Sequence, residues 1–200
     1  MPTQSKLSDL LFAPPDGRLK YQREDFQVVC RSTPLPFNEL PCYLADQTFF
    51  DSIRPPWIWC GWRIGEKALF NLVETHYPKR VRISGGRTLI TPTVFQLPKI
   101  LFEELQIPDN AKHLIRIVDA ANSEGQVDMA LVIGNNYEGI IPPETGYIDR
   151  IKNMLFEGRD PEWYLGPNNW SWAPAKARQL VLKSIPDISE PRMVLIPASS

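Results

Sequence analysis

At 200 residues the chain has the length of one domain, and its 43% hydrophobic and 22% charged residues exclude disorder of the whole chain. A formal net charge of −1 excludes a bulk electrostatic attraction to nucleic acid, so any such role would rest on a local patch. Twenty prolines, scattered as PP, LPF, RPP, IPP and GP, are about twice the usual share and exclude long unbroken helices.

In chain order, residues 1–24 read as an arm with one short helical turn at 7–12, followed by the turn signal PPDGR. Residues 25–31 (DFQVVCR) read as a first strand, and 32–56 as a proline-rich connection hiding short elements, since structureless loops of that length are rare in compact domains. The spacing of Ile64, Ala68, Leu72 and Val73, widened by Leu69, predicts a helix over 64–77 that Pro78 stops. Residues 81–84 and 88–91 flank Gly85 and Gly86 and predict a tight hairpin. Leu97, Ile100, Leu101 and Leu105 predict a helix over 97–107, with Pro98 tolerated in its first turn. Two alternating apolar runs, 113–119 and 127–133, predict an antiparallel hairpin with Arg116 and Asp128 as cross-strand partners. NNYEG at 135–139 turns the chain away. Ile148, Ile151 and Leu155 mark the buried side of a helix over 145–157, and a helix over 174–183 and a strand over 192–196 complete the series. Hairpins interspersed with helices predict an α+β fold: a mostly antiparallel sheet carrying three or four short helices, joined by proline-rich connections and forming one domain over 25–200.

Chemical motifs are sparse. The sequence holds no GxSxG, GxxxxGK[ST], HExxH or GxGxxG. His76 falls at a helix end, where a cation answers the dipole. His113 is expected on an apolar strand face beside Ile115 and Ile117; with Asp119 it forms the weak catalytic candidate for a cofactor-independent lyase, isomerase or hydrolase. Glu103 and Glu104, adjacent on a helix, point apart and read as a solvated face. Cys30, Cys42 and Cys60 lack metal-ligand spacing, so neither a metal nor a cofactor is expected. An odd cysteine count without a secretory leader predicts reduced thiols in the cytoplasm, and no apolar run is long enough to span a membrane. Cys60 is best read as a packed thiol, because apolar neighbours raise a thiol pKa.

KRVRISGGR gathers Lys79, Arg80, Arg82 and Arg87 around a glycine turn, a candidate for binding phosphate or DNA. The stretch RVRISGGRTLITP to LPKILFEELQIPDNA, residues 80–111, resembles the swapped-hairpin DNA-binding modules of the AbrB type. It departs from them in the extra residues before LPK and in the acidic pair Glu103 and Glu104.

The strongest signal is aromatic. WIWCGW (57–62) and WYLGPNNWSW (163–172) hold all six tryptophans. Indole combines a large apolar area with one donor, so such clusters either seal a core or line a binding surface. Alternation places Trp57 and Trp59 on one side of an extended segment, with Ile58 and Cys60 on the other and Gly61 able to bend the chain and free Trp62. The expectation is that the two segments meet in a cleft lined by Trp57, Trp59, Trp62, Trp163, Tyr164, Trp170 and Trp172. Its occupant would be another protein or a small apolar or aromatic ligand.

Overall fold

A computed structural model describes residues 11–13, 22–45 and 53–174. In chain order it shows α1 (Asp25–Cys30), β1 (Leu35–Pro36), α2 (Cys42–Ala45), β2 (Ile53–Arg54), β3 (Ile58–Arg63), α3 (Glu66–His76), β4 (Ile83–Ser84) and β5 (Arg87–Thr88). There follow α4 (Ile90–Val94), α5 (Leu97–Leu105), β6 (Arg116–Ala121), β7 (Val127–Asn135), β8 (Gly139–Ile140), α6 (Tyr147–Leu155), β9 (Glu162–Leu165) and β10 (Ala173–Pro174). Every pairing is antiparallel, and the expected α+β architecture is what the chain adopts. None of the helices described is long and apolar enough to cross a membrane.

The main sheet runs β1-β9-β3-β7-β6, with β8 also on β7. It curls until β6 meets β9 at a single pair, Ala121 with Leu165. One face carries Ile58, Cys60, Trp62, Ile117, Leu131, Ile133, Trp163 and Leu165 into the main core, where α3 packs on β7 and α5 on β6. The opposite face gathers Ala120, Ala130, Val132 and Tyr164, with Trp59 and Val118 beside them. Strand alternation sends neighbouring residues to these two clusters.

Local chemistry sets the turns between these elements. Gly65 has φ 83° at the N-terminus of α3, and a Cβ there would sit 2.6 Å from the Asp128 carboxylate, so only glycine fits. In α3 the deeply buried residues are Leu69, Phe70 and Val73, while Ala68 and Leu72 are half-buried at its flank. The stripes expected for α5 and α6 are buried as read from the sequence.

Three expectations are corrected. Residues 25–30 form a helix, because the buried positions Asp25, Val29 and Cys30 are spaced for one helical face, while Val28, part of the apparent alternation, is 39% exposed. His113 lies before the strand, in a 3₁₀ turn over Lys112–Leu114 closed by the Leu114 N–H to the Ala111 carbonyl. Arg116 faces Val132 and Asp128 faces Ala120 across the hairpin, so these two charges are not partners; Arg116 pairs with Glu138 instead. The connection 32–56 does hold short elements, namely β1, α2 and β2. The helix expected at 174–183 and the strand at 192–196 lie outside the described residues, as does most of the expected arm 1–24.

Candidate functional site

The two tryptophan segments, distant in sequence, are adjacent in the sheet. β3 pairs with β9 in a register that sets Trp59 opposite Tyr164 and Cys60 opposite Trp163. Beyond β9 the contact continues: the Trp57 N–H donates to the Asn169 carbonyl and the Gly166 N–H to the Trp57 carbonyl, each at 2.8 Å. Past the Ala121–Leu165 pair the chain after β9 separates from β6. The gap left there is a recess of about 270 Å³, walled by Trp57 and Trp59, by Val118 and Asp119 of β6, and by the turn 166–169. A Cβ on Gly166 would lie 2.8 Å from the Trp59 indole nitrogen, so a glycine at the rim lets that ring approach the backbone.

Of the seven aromatic residues expected to line one cleft, only Trp57 and Trp59 do so. Their rings lie 5.2 Å apart at 58°, and both are half-buried. Trp62, Trp163 and Trp172 are 1–2% exposed and serve the core. Trp62 stacks on Phe156 at 4.4 Å, and its indole N–H donates to the Arg159 carbonyl at 2.7 Å. Trp163 donates to the Phe37 carbonyl, and Trp172 to that of Leu11 while stacking on Tyr43. Trp170 meets the Phe26 ring edge-on at 5.3 Å. Gly61 does not free Trp62: its missing Cβ would lie 2.2 Å from the Leu131 carbonyl oxygen, so glycine serves close strand pairing beside the register shift at Cys60 and Gly61. Tyr164 is buried on the Trp59 side, where its hydroxyl donates to Glu162 at 2.5 Å. Burial, aided by that carboxylate, pushes its phenol well above the usual range and keeps it neutral.

The residues that hold the two recess indoles come from NNYEG, a segment the sequence marks only as a turn. Asn136 is buried, and its amide donates to the Leu44 and Pro56 carbonyls at 2.8 and 3.0 Å while its oxygen accepts from the Ile58 N–H at 2.9 Å. It thereby fixes the backbone on both sides of Trp57. Tyr137 stacks on Trp57 at 5.2 Å, and its hydroxyl donates to the Pro55 carbonyl. Asn135 donates to Glu138 at 2.6 Å; Glu138 pairs with Arg116, whose guanidinium lies 5.3 Å over the Trp59 ring. Two adjacent asparagines ending an apolar strand were the available signal. Buried amides in such a place must find partners.

His113 is exposed and lines neither this recess nor a second, more open hollow of about 500 Å³ between α3 and the end of α6. Asp119 does reach the first recess, and no hydrogen bond or ion pair engages its carboxylate among the described residues. Cys60 is fully buried, and burial pushes its thiol well above the ordinary range, as it pushes Cys30 to about 11. His76 stands exposed in the last turn of α3. No group of three or more metal-ligating side chains occurs among the described residues.

The basic residues sit apart from the recess. β4 and β5 form a separate two-stranded finger, exposed throughout 82–88, with Gly85 and Gly86 at positive φ at its tip. Its base is fastened by Thr93, which accepts from the Arg82 N–H at 2.9 Å and donates to the Leu89 carbonyl at 2.6 Å. Arg80 pairs with Glu103, while Lys79, Arg82 and Arg87 have no ion pair among the described residues. Two helices, α4 and α5, separate this finger from β6.

The chain matches no protein-family model, and no curated protein or solved structure is similar enough to match it.

Proposed function

We propose that this protein is a non-catalytic binding domain that takes one side chain of a partner, or a ligand of that size, into the recess beside Trp57 and Trp59. One observation carries the reading. Three of the six indoles are buried in the core and Trp170, itself half-buried, packs on Phe26, whereas Trp57 and Trp59 wall an open volume of about 270 Å³ and are braced from behind by a polar network centred on the buried Asn136. Ligand sites combine apolar walls with a few placed polar groups, and rigid walls lower the ordering cost of binding. The three cysteines form no disulfide, which accords with a cytoplasmic setting.

The test is a panel of small amines, alcohols and aromatic carboxylates, followed through the indole N–H resonances. Binding that shifts Trp57 and Trp59, spares Trp62 and Trp163, and is lost in Trp57→Ala supports the reading. If no member moves these two indoles selectively, the reading fails.

A second reading rests on the exposed finger, whose free Arg82 and Arg87 suit a phosphate-bearing polymer. Affinity for a DNA duplex that falls steeply with salt and weakens in Arg82→Ala would support it. Salt-indifferent or absent binding would end it.

A further inference from the structure

We propose that the recess selects a cation, specifically an alkylammonium group, whether borne by a lysine side chain of a partner protein or by a free amine. This rests on the reading of the recess as the binding site and adds the charge of its occupant.

The walls dictate the sign. Among the described residues Asp119 is the only charged side chain lining the volume; the others are two tryptophans, a valine, a glycine, a proline and two asparagines. Its carboxylate is exposed and engaged by nothing among the described residues, so its charge stays available to an incoming group. An anion entering would meet that charge with no basic residue in the lining to offset it. A neutral apolar group would gain the indole contact but would crowd the carboxylate without answering it. An ammonium gains from both, because the face of an indole carries the negative lobe of its quadrupole.

The Trp59 ring already shows this preference within the fold. The Arg116 guanidinium lies 5.3 Å over it, and the charge of Arg116 is answered by Glu138. That internal pair is self-neutralising; Asp119 is not part of it. Trp57, inclined at 58° to Trp59, supplies a second indole to the same volume. At about 270 Å³ the space lies just below the usual range for drug-sized ligands, roughly 300 Å³ upward, and suits a single alkylammonium terminus.

The test compares choline with 3,3-dimethylbutan-1-ol, its neutral isostere, and adds N-acetyl-lysine methylamide and a lysine-containing hexapeptide. All are followed through the indole N–H resonances of Trp57 and Trp59 in the full chain. The expected result is that choline binds at least about tenfold more tightly than the alcohol, an advantage of the size a desolvated cation–π contact confers. Asp119→Asn, an isosteric change at an exposed site, should remove most of that advantage by weakening choline binding, while leaving the thermal midpoint unchanged. Tighter binding of the peptide than of choline assigns the ammonium to a protein partner, and the reverse assigns it to a free amine; both support the proposal. Equal binding of choline and the alcohol, or an unaltered preference in Asp119→Asn, overturns the cation assignment and leaves the recess as the binding site. Silence of both indoles toward every probe overturns the two together.

Discussion

The two faces of strand β3 use one residue type for opposite ends. Trp62 goes to the helix-covered side, stacks on Phe156 and donates its N–H to a backbone carbonyl; its 1% exposure leaves nothing for a ligand. Trp59, three residues earlier and on the other side, remains half-buried beside open space and carries a guanidinium on its ring. Tryptophan content therefore says little about binding. What separates the two is whether the opposing element completes the packing, as α6 and the residues after it do for Trp62, or diverges, as the turn 166–169 does from β6.

Substitutions can break this comparison. Trp62→Ala should cost the most, about 3–5 kcal/mol, since it empties a fully packed aromatic site; a urea midpoint barely changed would mean that the buried indoles are not structural. Asn136→Ala should cost about 2–3 kcal/mol by leaving the Pro56 and Leu44 carbonyls and the Ile58 N–H without their partner. It should also blur the Trp57 resonance more than that of Trp62, and equal effects on both would remove the bracing role given to NNYEG. Trp57→Ala should cost only about 1–2 kcal/mol, the worth of its two ring contacts, while abolishing probe binding. Stability loss matching that of Trp62→Ala would make the recess indoles a structural clasp.

The smallest effect concerns the thiols. Below denaturing conditions at pH 8 a disulfide reagent should modify Cys42 quickly, while Cys30 and Cys60 stay protected by burial. Cys30 is raised from 9.0 to about 11, so the folded chain keeps a proton that the unfolded chain releases. The unfolded state then binds fewer protons across this window, and the contribution to stability, whole below pH 9, is lost as pH rises through 11. Cys30→Ala should flatten that decline in urea midpoints measured from pH 8.5 to 11.

Legibility of the sequence followed periodicity. The helices over 66–76, 97–105 and 147–155 and the hairpin of β6 and β7 were visible because their apolar positions repeat at one spacing over enough residues. The six residues of α1 were too few to separate helix from strand, and Val28 completed a false alternation. Adjacency of WIWCGW and WYLGPNN was expected from the gathering of all six tryptophans into two segments, and β3 does pair with β9, but the fate of each indole was not legible. Alternation placed Trp57 and Trp59 together, yet the burial of Trp163 and Trp172 and the packing of half-buried Trp170 depend on Phe37, Leu11 and Phe26, partners far away in the chain. The support given by Asn136 was hidden for the same reason: its three partners lie at positions 44, 56 and 58.

Strand β9 lies inside the sheet, between β1 and β3, although it is the last but one of the described strands in chain order. During synthesis, therefore, β3 emerges early with one edge bare and waits for a neighbour encoded about a hundred residues later, an arrangement that slows folding because distant ends must meet first. The recess is complete only when the turn 166–169 that follows β9 is in place. A nascent chain halted before residue 162 would already possess both indoles and the carboxylate, but not the turn that faces them. On the proposed reading, competence to bind would arrive when the inserted strand docks.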